Sequence, residues 1–134
     1  MNLFARIAVA ALMTAQIVLA QTPEWIWFNK SSDAETRYFR RTIEVTGSLS
    51  RAELVATADD ALEVFVNGER VLAADSWQNG HAVDVKGKLK PGFNLLAIRA
   101  RNGDSSPAGA IARLTWVTDR GTNVVVTDGT WKAT

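Results

Sequence analysis

The chain has 134 residues with Lys+Arg 15 against Asp+Glu 14, a single histidine and no cysteine. Such balanced charge leaves no electrostatic footprint for phosphate backbones or anionic lipid, which excludes nucleic acid as an expected partner. The absence of cysteine excludes disulfides and thiol chemistry, so the fold must rest on its apolar core.

Residues 1–20 read as a secretory signal peptide. Arg6 forms the positive n-region, Ile7 to Ala20 is mostly apolar, and Val18-Leu19-Ala20 offers small residues for cleavage. A membrane anchor is the competing reading, but the run falls short of the roughly 20 apolar residues needed to span, and Gln16 interrupts it. Cleavage before Gln21 removes Arg6 and equalises acidic and basic side chains. The expected product is exported, secreted or periplasmic, with no membrane association after cleavage. Residues 21–134 make one domain, long enough to bury roughly two thirds of the surface its unfolded chain exposes.

From Trp25 onward, short apolar alternations recur with turn residues between them, the pattern of a two-sheet antiparallel β-sandwich. Strands are expected near Trp25 to Phe28, Arg37 to Val45, Ala52 to Ala58, Leu62 to Val66 and Arg70 to Ala73. Further strands follow near His81 to Val85, Leu95 to Arg101, Ala110 to Val117 and Asn123 to Thr127, and Trp131 to Thr134 also reads as strand. Helix is limited to a single turn around Ser31 to Glu35. Both faces of the first strand look apolar, which places Trp25 and Trp27 in the core with Trp116 and Trp131. In the second, Arg41 falls on the apolar face with Phe39, Ile43 and Val45. It requires a bulge, an edge or a partner such as Glu53 or Glu63, because an unpaired buried charge is too costly.

Asn67-Gly68 supplies the two positive-φ positions of a type I′ hairpin, so the chain turns back after Val66. Pro91-Gly92 fits a type II turn, with proline fixing one central φ and glycine taking the positive value at the next. Two longer polar connections, residues 74–80 and 102–107, are where binding groups would be presented.

Thr57 to Val71, with its acidic turn, strand and Val-Asn-Gly, resembles the jelly-roll modules of the galactose-binding-like superfamily. It is most similar to the sugar-binding domain of family 2 glycoside hydrolases and the N-terminal domain of bacterial α-L-rhamnosidases. The resemblance extends through Tyr38-Phe39-Arg40-Arg41, Val83-Asp84-Val85, Leu89-Lys90-Pro91-Gly92, Asn94 to Ile98, and Thr127-Asp128-Gly129-Thr130-Trp131-Lys132. It implies a jelly roll that accompanies a separate catalytic domain, so 21–134 is expected to be the N-terminal part of a longer protein.

Nucleophilic catalysis is poorly served, because cysteine is absent, His81 is the lone histidine and no Gly-x-Ser-x-Gly elbow occurs. Zinc and haem lack their usual ligand sets. Asp59 and Asp60 could suggest paired glycosidase carboxylates, but neighbouring strand residues point to opposite faces, and capping of a turn before Leu62 is the simpler role. The same two residues are the candidates for a structural calcium ion, the one cofactor considered.

Tryptophan carries the best functional signal, since indole faces stack on the apolar faces of sugar rings while nearby polar groups bind hydroxyls. Trp77 with Asp75, Gln78 and Asn79 fits this, and Arg101 with Asn102 borders the second loop. The alternative is that Trp77 folds back as a plug over one end of the sandwich. The sequence therefore predicts a secreted, non-catalytic carbohydrate-binding module accessory to a glycan-degrading enzyme. A structural or protein-docking domain without glycan affinity is the alternative.

Overall fold

The structure, a computed structural model, describes residues 21–27, 34–104 and 107–134. The expected signal peptide, Phe28 and the Ser31 to Asp33 part of the expected helical turn lie outside the described residues.

Among the described residues nine strands follow in order: β1 Glu35–Val45, β2 Leu49–Asp59, β3 Ala61–Val66, β4 Glu69–Ala74, β5 His81–Asp84, β6 Gly92–Asn102, β7 Gly109–Thr118, β8 Gly121–Val126 and β9 Lys132–Ala133. They form a five-stranded sheet in the order β4-β3-β6-β1-β9 and a four-stranded sheet in the order β5-β2-β7-β8, with every neighbour antiparallel. This is the expected sandwich. The strand near Trp25 reduces to a single bridge between Ile26 and Ala110, and Glu35 opens β1 instead of ending a helical turn. The one described helical element is a 3₁₀ turn at Lys86–Lys88. Among the described residues no helix is long and apolar enough to cross a membrane.

The two-residue period decides what is buried. Leu62, Val64 and Val66 of β3 and Leu96, Ile98 and Ala100 of β6 point inward against Leu54, Ala56, Ala112, Leu114 and Trp116 of the other sheet. Each fully buried Leu, Ile or Val contributes about 1.5–3 kcal/mol, and alanines in β2 and β7 let the sheets approach around the larger residues.

The hairpin forms as expected, with Asn67 at φ 50° and Gly68 at φ 83°, and Gly92 takes the positive φ of its turn at 86°. Buried Asn94 links the two turns. Its Oδ1 accepts from the Lys90 N–H at 2.9 Å and from Asn67 Nδ2 at 2.8 Å, while its Nδ2 donates to the Lys90 and Gly92 carbonyls. One end of the sandwich is thereby closed by hydrogen bonds.

Arg41 finds a partner that the sequence reading did not name. Its Nη1 lies 3.6 Å from Asp128 Oδ1, at the sheet edge left open by the two-residue β9. Glu63 is taken by Arg70 and Arg99, each at 3.0 Å, and Glu53 sits on the outer face of the opposite sheet. The Thr130 hydroxyl and N–H, with Arg41 beside them, hold the Asp128 carboxyl below its usual range.

Candidate functional site

The opposite end of β3 and β6 is open. There the N-terminal segment, the β2–β3 turn, the loop after β4 and the start of β7 meet around a cleft of about 240 Å³ lined by Trp25, Asp59, Trp77, Pro107, Ala108 and Gly109.

Trp25 reaches this end because its flanks are tied down. Glu24 donates its N–H to the Thr127 carbonyl at 2.8 Å, and Ile26 exchanges two backbone bonds with Ala110. The buried Thr127 hydroxyl reinforces this by donating to the Glu24 carbonyl at 2.7 Å and accepting from the Ala112 N–H at 3.1 Å. The indole then lies on Gly109, where a Cβ would come within 2.8 Å of Trp25 Cε3. Glycine is required at that position for close approach of the ring. Trp25 is 53% exposed, which corrects its assignment to the core. Among the described residues only a single bridge forms here, which does not bury the residue on both faces.

Trp77 is 55% exposed, so it does not plug the sandwich. Its loop is held by the Thr57 hydroxyl, which donates to the Ser76 carbonyl. The other tryptophans behave as core residues. Trp116 is buried, Trp27 packs on Phe39 at a centroid distance of 6.1 Å with its Nε1 donating to Glu35, and Trp131 donates to the Val126 carbonyl.

Asp59 contributes the carboxyl of the cleft. Partial burial, then a hydrogen bond and the charge of Asp60, then the charge of Asp104, raise it above the usual carboxylate range. Asp60 does not cap its own turn as expected. Its N–H donates to the Arg101 carbonyl at 3.0 Å, and its Oδ2 accepts from the Gly103 N–H at 2.7 Å, which fastens the β2–β3 turn to the end of β6. The peptide bond between Asp59 and Asp60 is cis. Among the described residues no group of three His, Cys, Asp or Glu side chains converges to hold a metal ion.

The residues singled out from the sequence divide between two places. Trp77 lies in the cleft just described, and exposed Gln78 and Asn79 continue its loop. Asp75 and Arg101 line a second, larger cleft with Glu63 and Arg99 on the outer face of the five-stranded sheet. Asn102 is fully buried, and its Nδ2 donates to the Asp104 carbonyl at 2.7 Å. It shapes the loop from inside, because β6 alternation turns position 102 inward and Arg101 outward. Sequence reasoning missed Trp25 and Asp59 as cleft residues. The signal available for Trp25 was Gly109, a strand-opening glycine that leaves room for a ring.

No protein-family model matches the chain. The α-L-rhamnosidase of Streptomyces avermitilis is 34% identical over 121 residues, spanning 82% of this chain but 12% of that protein. The crystal structure of S. avermitilis α-L-rhamnosidase complexed with L-rhamnose superposes with a TM-score of 0.79 at 32% identity, covering 84% of this chain and 12% of that one. A lectin from Pleurotus ostreatus in complex with GalNAc gives a TM-score of 0.74 at 32% identity, with 83% of this chain and 35% of the lectin covered. The GH78 family rhamnosidase of Bacillus sp. GL1 gives 0.72 at 28% identity, over 85% of this chain and 13% of that enzyme. The chain thus spans about an eighth of the length of the rhamnosidases it matches. The likeness read from Thr57 to Val71 holds over most of the described residues: the chain is a galactose-binding-like jelly-roll module, similar to one segment of the α-L-rhamnosidases and to the Pleurotus lectin.

Proposed function

We propose that the chain is a secreted, non-catalytic carbohydrate-binding module, accessory to a glycan-degrading enzyme, and that the cleft between Trp25 and Trp77 takes a sugar. The observation that carries this reading is the pair of half-exposed indoles flanking a cleft with one carboxyl, Asp59, in its wall. Indole faces pack against the C–H faces of a pyranose, and Asp59 accepts from or donates to a ring hydroxyl according to its protonation. L-rhamnose and GalNAc, bound by the rhamnosidase and the lectin, are the first sugars to offer.

The absence of catalysis is supported by how the carboxylates sit. Asp59 and Asp60 share a hydrogen bond, whereas glycoside hydrolysis uses carboxyl groups about 5 to 9.5 Å apart across the scissile bond. The match to only 12% of a rhamnosidase also points to an accessory part.

The test is tryptophan fluorescence of residues 21–134 titrated with L-rhamnose, GalNAc and plant and bacterial polysaccharides, each with calcium and with a chelator. The expected outcome is a saturable shift that Trp77→Ala weakens at least tenfold while leaving the thermal midpoint nearly unchanged, since the ring is half exposed. Loss of the shift on chelation would assign a calcium ion to the Asp59 and Asp60 turn. No response from the folded chain to any sugar would sink the proposal.

A second reading rests on its own observation. Tyr38, Phe93 and Leu95 are exposed on the outer face of the five-stranded sheet, and such a surface suits docking against another domain of an enzyme. Under that reading Leu95→Glu would break association with the neighbouring domain and leave sugar binding intact.

A further inference from the structure

The larger of the two clefts is the second one. It has a volume of about 530 Å³, within the roughly 300–1,000 Å³ of small-molecule sites, and lies on the outer face where β4, β3 and β6 run side by side. Its floor has small side chains because Ala61, paired with Arg101 across β3 and β6, and Ala73, paired with Glu63 across β3 and β4, face outward, whereas Ala74 turns toward the core with its partner Leu62. These two alanines between longer neighbours leave a shallow trough with methyl groups at its base.

The charges around the trough are not equivalent. Glu63 is bound by both Arg70 and Arg99, at 3.0 Å each, and these two bonds hold its carboxyl below the usual range and engage both of its oxygens. Arg101 differs. Among the described residues no acidic side chain lies within ion-pair distance of it, and its cross-strand neighbours are Thr36 and Ala61, neither of which bears charge. It is an exposed guanidinium on a rigid central strand, with its fork of donors unclaimed at one side of an alanine floor. Asp75 also lines the trough and brings a second carboxyl that accepts hydrogen bonds.

We propose that this trough is a second carbohydrate subsite, distinct from the Trp25 and Trp77 cleft, and that it takes a carboxylate-bearing sugar, a uronic acid, through Arg101. Guanidinium and carboxylate match as two parallel charge-assisted hydrogen bonds, the alanine floor accepts a ring face, and Asp75 accepts from ring hydroxyls. The inference goes beyond the reading of the first cleft and stands whether or not that cleft binds a sugar. The two clefts nonetheless use the same two chain segments. Asp59 and Ala61 flank one turn, and Asp75 and Trp77 belong to one loop, so one oligosaccharide with a uronate next to a neutral sugar would engage both.

The experiment is amide and arginine side-chain NMR of residues 21–134 titrated separately with D-galacturonate, its methyl ester and L-rhamnose. The expected result is a set of saturable shifts at Ala61, Ala73, Asp75 and the Arg101 side chain with galacturonate. The methyl ester should bind about tenfold more weakly, because it loses the charge-assisted pair. Arg101→Gln should weaken galacturonate about tenfold and leave rhamnose shifts at Trp25 and Trp77 unaltered. Ala73→Leu, an exposed position, should block the trough by bulk without altering its charge. Binding should also weaken as sodium chloride rises from 50 to 300 mM, as expected of an exposed ionic contact. Equal binding of acid and ester, or full galacturonate binding by both variants, would overturn the proposal. Rhamnose shifts without galacturonate shifts would overturn it while leaving the first cleft standing, and the reverse pattern would do the opposite.

Discussion

β3 and β6 end very differently at their two extremities. At the Asn67 and Asn94 end, the two asparagine side chains bind each other and the backbone of the adjoining turns, and positive φ values fall on residues that tolerate them. At the Asp59 and Asn102 end, two indoles are left half in water, a carboxyl is raised by burial and like charge, and Arg101 points out with no acidic side chain of the described residues within ion-pair distance. The first end ties its asparagine side chains into its own turns, and the second leaves two indoles and a guanidinium facing solvent. That contrast, more than any single residue, locates recognition at the second end.

The contrast is broken most forcefully by Asn94→Ala. It removes the four hydrogen bonds of a residue 1% exposed and strands the Lys90 N–H and carbonyl in a partly buried turn. The expected cost is about 3 kcal/mol, since each buried group left unmade costs about 1–3 kcal/mol. Denaturant unfolding measures it. At temperatures where the variant is still folded, its sugar binding should equal that of the parent, because the change lies at the far end of the strands.

Gly109→Ala sharpens the other side of the comparison. A methyl group there meets Trp25 Cε3 at 2.8 Å, so the indole must swing away from the wall that Trp77 faces. Half of the ring is already in solvent, so stability should fall by less than about 1 kcal/mol, the range of changes that neither open a core cavity nor bury a charge. Affinity for a sugar stacked in the cleft should drop about tenfold, as expected when one aromatic contact is lost. Calorimetry on both quantities separates the two, and a loss of stability without loss of affinity would make Trp25 a structural strut.

The sequence was legible where one physical rule decided the outcome. Period-two alternation placed β1, β2, β3, β6 and β7 because their inward residues are apolar, and Asn67-Gly68 fixed a turn that few other dipeptides form. Trp25 was misread because alternation assumes a complete strand, and a single bridge provides only one hydrogen-bonded position. The partner of Arg41 was hidden for a similar reason. Asp128 is 87 positions away in the chain and reaches Arg41 only because β9 is two residues long and leaves β1 partly uncovered. The division of the expected site into two clefts was also illegible. Asp75 and Trp77 are two apart in sequence, but the end of β4 directs one over the sheet face and the other over the open end.

The smallest effect expected is also the one most specific to the open end. Asp59 is raised above its usual value by burial first and by Asp60 and Asp104 after it, so its folded-state value exceeds its unfolded one. Below the unfolded value the carboxyl is protonated in both states and contributes no penalty. As pH rises from there through the raised folded value, the unfolded chain releases its proton more readily and stability falls, after which the penalty stays constant. Asp59→Asn should therefore match the parent at low pH and become the more stable of the two as pH climbs through that window. Thermal midpoints recorded across the acidic range read this as a difference between two curves. Parallel curves would mean that Asp59 is solvated like any surface carboxylate. A difference of the opposite sign would mean that its ionised form has a hydrogen-bond donor, and the open end would then be as self-satisfied as the closed one.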